Sequence, residues 1–260
     1  MNLSLTQMPE DIIFIGINPA PDGKFYTYSA IDQKKRILQL ADGSLEWALA
    51  YIGKQHKTLV AVTTPRSPNI GLMLRHEIRN SLRPQPLPGN WMNCRVCEYE
   101  LRMRGINIPQ TASQNNRCPS WMKPGFDLFY RLDNLGFLPY LPRDAAFQSM
   151  EVYPEASFSA FLGVVPYYKG SLEGRLQRQL CLFERDLTVP NPMDFLEEFT
   201  RHRLLTGRLS YESLYPPNHL DALVAAFTAW LAANDTGRVE LVGNPEEGVI
   251  VLPIYSSSAP

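Results

Sequence analysis

The sequence predicts an α/β protein, a mixed sheet with flanking helices and a helical or irregular insertion near residues 66–125. Three observations point that way. Residues 12–18 form a continuous apolar run suited to a buried strand, and Asp22-Gly23 is a turn signal. Residues 24–31 then alternate aromatic and small side chains, as an antiparallel partner would. Short apolar runs alternate with helix-like stretches through the rest of the chain.

The hairpin opens the domain, and residues 36–40 read as a third strand. Ser44 is placed to cap a helix running to Ile52, since its side chain can accept from an unpaired first-turn N–H. Residues 58–62 form another buried strand, ending before Pro65. Helices are expected at 126–135, 156–162, 172–185, 192–204 and 220–233, and final strands at 239–241 and 249–252. On the helix at 172–185, Leu172, Leu176, Leu180 and Phe183 would face the core, leaving Arg178 solvated. The stretch Pro84-Gln-Pro-Leu-Pro-Gly reads as an exposed turn rather than a linker, so residues 1–260 are read as a single domain.

With 260 residues and 45% hydrophobic content, the chain can bury a large core, roughly 70 to 75% of its unfolded surface. No apolar run approaches the roughly 18 residues of a membrane span, and residues 1–11 lack a signal-peptide pattern. Four cysteines in so long a chain read as free thiols in a reducing compartment, which places the protein in the cytoplasm with no membrane partner.

Two acids stand out. Pro154 cannot donate to a ladder, so it stops the strand at 147–152 and leaves Glu151 near its mouth. Asp221 opens the alanine-rich stretch Asp-Ala-Leu-Val-Ala-Ala-Phe-Thr-Ala-Trp-Leu, where a first-turn acid suits the helix dipole. The two are expected to meet in space. The plainer alternatives are a solvated strand end for Glu151 and a simple first-turn charge for Asp221.

Their surroundings add weight: Glu151-Val-Tyr-Pro-Glu-Ala-Ser-Phe, then Lys169 with Leu-Glu-Gly-Arg at 172–175, then Leu-Asp-Ala-Leu-Val-Ala-Ala-Phe-Thr-Ala-Trp, then Glu247-Gly-Val-Ile-Val-Leu-Pro. In this order the chain resembles the family catalogued as domain of unknown function 429, whose members are predicted nucleases of ribonuclease H-like fold. The resemblance spans residues 12–253 and is specific in the second half. Three antiparallel strands, a helix and a parallel strand are also how a ribonuclease H-like domain begins.

The resemblance implies acids clustered around one or two divalent metals, Mg2+ or Mn2+, that activate water and stabilise the leaving oxygen. Glu151 and Asp221 would be the metal ligands. The family's other two aspartates fall at Asn18, in Gly16-Ile17-Asn18-Pro19, and at Thr63, in Val62-Thr63-Thr64-Pro65. Both departures remove charge. Two dications about 4 Å apart repel by on the order of 16 kcal/mol at an effective dielectric of 20, which two carboxylates offset poorly. A carbonyl from Asn18 and a hydroxyl from Thr63 would be weak ligands to a hard cation.

Residues 70–123 hold eight Lys or Arg against three acids, a local +5 in a chain of net charge −1. Seven are arginines suited to phosphate, and Trp91, Tyr99 and Trp121 are interleaved as stacking surfaces. Arg95 and Glu98 are taken as substrate contacts here. The alternative is a surface helix on which Glu98 and Arg102 pair four residues apart. Lys169 and Arg175 flank the Gly170-Ser171 turn before a helix, an anion site that the resemblance strengthens because family members carry a lysine, a glycine and an arginine here. His219, two residues before Asp221, is a candidate proton shuttle or substrate contact, or simply a helix-entry residue.

Other motifs carry less. Cys94-Arg-Val-Cys97 lacks a second pair and reads as packed thiols. Gly16 and Gly23 do not have phosphate-loop spacing, and neither Ser157 nor Ser210 sits in a nucleophile elbow. The sequence thus leads to a nuclease-like protein with a weakened site. Its alternative is a non-catalytic binder of nucleic acid or a phosphorylated small molecule, with phosphoryl transfer as a third possibility on the same core fold.

Overall fold

The computed structural model describes residues 12–254 except 87, 88, 115, 116, 142–144 and 198. The N-terminal stretch read for a targeting signal and part of the proline-rich turn lie outside the described residues. The chain opens with β1 (Ile13–Pro19), β2 (Tyr26–Ile31), β3 (Ile37–Gly43), α1 (Leu45–Ile52) and β4 (Thr58–Val62). Ser44 caps α1 as expected, accepting from the Trp47 N–H at 3.4 Å. Between β4 and the next core helix lies the insertion, with α2 (His76–Ser81) and α3 (Val96–Met103).

The core resumes with α4 (Lys123–Asn134), β5 (Leu138–Pro139), β6 (Phe147–Glu151), α5 (Pro154–Leu162) and α6 (Leu172–Phe183). It ends with α7 (Met193–Glu197), α8 (Arg201–Leu205), α9 (Pro217–Asn234), β7 (Val239–Asn244) and β8 (Gly248–Pro253). The helix expected at 192–204 is two short ones. Thr200 accepts from the Arg203 N–H at 3.2 Å, capping a new helix where a continuous one was expected.

The strands form one mixed sheet in the order β3-β2-β1-β4-β6-β8-β7, with β5 on β6. β1 runs antiparallel to β2 and parallel to β4, and β4 is parallel to β6. This is the ribonuclease H-like arrangement that the sequence predicts. α5, α6 and α9 cover one face through Phe14, Leu59, Ala61, Met150 and Val152. α1 and α4 cover the other through Ile15, Ile17, Val60 and Val62. The period of two along each strand sorts these side chains between the two cores.

α9 lies against β1 more closely than a side chain permits. A Cβ on Gly16 would overlap the Ala222 carbonyl and stand 2.5 Å from the Ala226 nitrogen. Ser29 Oγ donates to the same Ala222 carbonyl at 2.9 Å. The alanines of α9 serve this close packing, which sets the height of Asp221 above the sheet.

α6 turns a different face inward from the expected one. Gly174, Arg178, Cys181 and Leu182 are buried, whereas Leu172, Leu176 and Leu180 are partly exposed and Phe183 is exposed. Arg178 can be buried because its guanidinium donates to the carbonyls of Tyr167 at 2.6 Å and Gly174 at 3.2 Å, and to Glu155 at 2.7 Å. All four cysteines are buried free thiols. Among the described residues, no helix is long and apolar enough to cross a membrane.

Candidate ligand crevice

β1 and β4 run parallel and end side by side, at the carboxyl end of the sheet where open α/β folds place their ligands. Thr63 continues the ladder through its N–H to the Ile17 carbonyl at 3.0 Å. Its hydroxyl donates to Asn18 Oδ1 at 2.6 Å. Asn18 and Thr63 therefore form a neutral hydrogen-bonded pair.

Asp221 stands with them at the rim of a cavity of about 530 Å3, lined also by Thr64, Glu155 and Lys169. α9 begins at Pro217, so Asp221 lies in its second turn and not at the dipole's positive end as the sequence suggested. What balances its charge is Lys169, whose ammonium donates to Asp221 Oδ2 at 2.7 Å. Burial raises the Asp221 carboxyl above its ordinary range; the Lys169 ammonium, and more weakly Arg178, pull it back.

The Lys169 loop is fixed from below. Ser171 accepts from the Gly174 N–H and donates its hydroxyl to the Tyr168 carbonyl, both at 3.0 Å, so the predicted Gly-Ser turn is the N-cap of α6. Gly174 allows the loop to sit there, because a Cβ would overlap the Tyr168 carbonyl. Gly174→Ala is expected to lift the loop, destabilise the protein by about 1–3 kcal/mol and weaken ligand binding in the crevice. Urea denaturation beside a ligand titration checks both, and an unchanged midpoint would contradict this packing.

The walls are apolar and aromatic: Trp121, Tyr153 and Tyr168, with Ile106, Pro19 and Pro109. Tyr153 donates its hydroxyl to the Asn107 carbonyl at 3.0 Å. Burial first, then the charges of Glu155 and Asp221, push its phenol up to about 12. Glu155 was not singled out in the sequence, yet it is the second carboxylate of the crevice. The available signal was its place directly after Pro154, in the first turn of a helix leaving a strand mouth.

Glu151 is elsewhere. In the parallel register it is the partner of Val62, so both side chains point to the α1 and α4 face, away from α9. There it is buried, accepting two hydrogen bonds from the Arg95 guanidinium, one of them at 2.9 Å, and another from the Arg66 N–H at 3.1 Å. The expectation that Glu151 and Asp221 meet is corrected: Asp221 lines the crevice and Glu151 does not, reaching Thr63 and Thr64 only in a small cavity beside it.

The other expected contacts have partners within the protein. Arg95 and Glu98 are fully buried and bonded together at 3.1 Å, and Glu98 also accepts from the Thr111 N–H at 3.0 Å. Glu98 therefore does not pair with Arg102, which donates to the Ile108 carbonyl. Arg175 donates to the carbonyls of Leu214 and Tyr215, holding the approach to α9. His219 faces Asp42 at 3.2 Å. None of these four residues lines the crevice. The insertion contributes to it through Gly105, Ile106, Asn107, Pro109 and Trp121 instead of through its arginines.

As a donor set, the crevice fits a pair of dications poorly. Among the described residues no three His, Cys, Asp or Glu side chains come together in a way that could hold a metal. Each crevice carboxylate already has a cation, Lys169 on Asp221 and Arg178 on Glu155.

A ribonuclease H-like sheet with a ligand-sized crevice at its strand ends defines the class of this protein. Residues 102–247, more than half of the chain, match the family described as protein of unknown function (DUF429), and the chain belongs to that family. No curated protein and no solved structure matches it.

Proposed function

We propose that the protein binds a nucleotide, or another small molecule that joins a planar ring to a phosphate, in the crevice between α9 and the ends of β1 and β4. The observation that carries this reading is the cavity of about 530 Å3 with aromatic walls and one half-exposed cation, Lys169, at its polar end. That volume lies within the range of small-molecule sites, and aromatic faces accept a ring without demanding its identity.

A long track of nucleic acid is less well served. Of the eight cations in the insertion, Arg75 and Arg104 pair with Glu246 and Glu240. Arg79, Arg83 and Arg102 donate to carbonyls, and Arg95 is buried. A two-metal nuclease is also disfavoured, because Asn18 and Thr63 bring no charge to the crevice and Glu151 is already bonded to the Arg95 guanidinium.

The test is a calorimetric titration of mononucleotides and of a short single-stranded oligonucleotide at two salt concentrations. The expected outcome is one mononucleotide site per chain, with oligonucleotide affinity falling only shallowly with salt because few phosphates are touched. Metal-dependent cleavage of the oligonucleotide that Asp221→Asn removes would restore the nuclease reading. Steep salt dependence would favour an extended nucleic-acid surface.

A further inference from the structure

We infer that Lys169 is a tethered cation standing where a metal-dependent phosphate site would hold its ion, so that the crevice takes a phosphate with no divalent metal. This rests on the nucleotide-binding reading above. It adds how the phosphate is held and what the site does not need.

A pair of dications needs several carboxylates around it, and with neutral Asn18 and Thr63 in the crevice such a site would be left strongly positive. A single ammonium needs one carboxylate. The crevice supplies that one in Asp221, 2.7 Å from Lys169, and the second acid, Glu155, is matched by Arg178 at the same distance. Asn18 and Thr63 fit this scheme as neutral groups, bonded to each other at 2.6 Å and asking for no cation.

The burial of the pair is asymmetric in the useful direction. The Asp221 side chain is 5% exposed and that of Lys169 is 47% exposed. The carboxylate is thus an anchor at the back, and the ammonium is the group presented outward. An ammonium has three N–H donors, of which one is given to Asp221, so two remain for ligand oxygens. Carboxylate, cation and phosphate in that order is the arrangement that a metal ion would mediate, made here from a side chain.

The position is also built. Ser171 and the Gly174 contact fix the loop, and Arg178, 1% exposed, holds the Tyr167 carbonyl at 2.6 Å. A surface lysine free to wander would need none of this.

The experiment is calorimetry with a mononucleotide as probe, run once in EDTA and once in Mn2+, beside Mn2+ titrated alone into the wild-type protein. Equal affinity in both conditions, within about twofold, and no stoichiometric heat from Mn2+ are expected. Lys169→Met should weaken the probe by about tenfold or more, the scale of a lost charge-assisted hydrogen bond, and Lys169→Arg should keep part of the affinity. Because Lys169→Met strands a buried carboxylate, the double variant Lys169→Met/Asp221→Asn keeps the test open if the single one misfolds; it too should lose the probe. Binding that requires Mn2+, stoichiometric Mn2+ uptake lost in Asp221→Asn, or unchanged affinity in both Lys169→Met variants would each overturn this inference alone. No mononucleotide binding in either condition would overturn the nucleotide reading and this inference with it.

Discussion

Arg95→Met is expected to destabilise the protein by about 3–5 kcal/mol, the cost of removing one partner from a buried ionic network. Arg95 is the cation between two buried carboxylates, Glu98 and Glu151, with a third, Glu247, bonded to backbone nearby. It binds Glu151 through two guanidinium nitrogens and Glu98 through Nε, while Glu247 accepts from the N–H groups of Ile70 and Val96. Without the guanidinium, Glu151 keeps the Arg66 N–H, and Glu98 keeps Thr111 and the Arg95 N–H, but neither keeps its positive partner. The network fastens the insertion to the sheet, since Glu151 ends β6, Glu247 precedes β8, and Glu98 lies on α3.

Urea denaturation followed by circular dichroism measures the effect, and a loss under about 1 kcal/mol would mean that the network contributes little. The same reasoning makes Glu151→Gln a stability variant. Lost activity in that variant would report a loosened insertion and not a missing catalytic acid, unless the melting curve is unchanged.

The misplacement of Glu151 shows what the sequence can carry. The strand at 147–152 was legible because its apolar run is stopped by Pro154, but the face of each residue depends on the register with β4, and a shift of one residue reverses it. No local pattern holds that register. Asn18, Thr63, Asp221 and Lys169 were legible because each belongs to a strand end, a helix or a turn whose neighbours fix it, and all four line one crevice.

Arg175 and Arg95 are engaged within the protein where the sequence suggested anion contacts, and for a shared reason. A guanidinium that donates to backbone carbonyls or to a buried acid is indistinguishable in sequence from one that waits for a phosphate. The two-residue β5 escaped because Leu138-Pro139 is too short for a period and contains a proline, and it is recognisable only by its pairing with Gln148 and Ser149. The inward face of α6 was missed because Gly174 and Arg178, which define it, count as polar or neutral in any amphipathic pattern.

Gly16→Ala tests the other half of the site's foundation, the fit of α9 on β1. The added methyl would overlap the carbonyl of Ala222 and lie 2.5 Å from the Ala226 nitrogen, both backbone atoms of a helix that cannot rotate aside. β1 cannot yield either, because it lies between β2 and β4 in the middle of the sheet. α9 must move outward. That separates Ala222 from Ser29 Oγ and opens the core formed by Phe14, Leu223 and Ala226. Overpacking against a side chain costs typically 1–3 kcal/mol, and here the obstacle is backbone, so a loss of about 3 kcal/mol or more is expected. Asp221, the residue before Ala222, moves with the helix and draws away from Asn18 and Thr63. The variant should therefore lose crevice binding even under conditions where it remains folded. A denaturation midpoint within error of the wild type, with ligand affinity intact, would show that α9 stands farther from β1 than this contact requires.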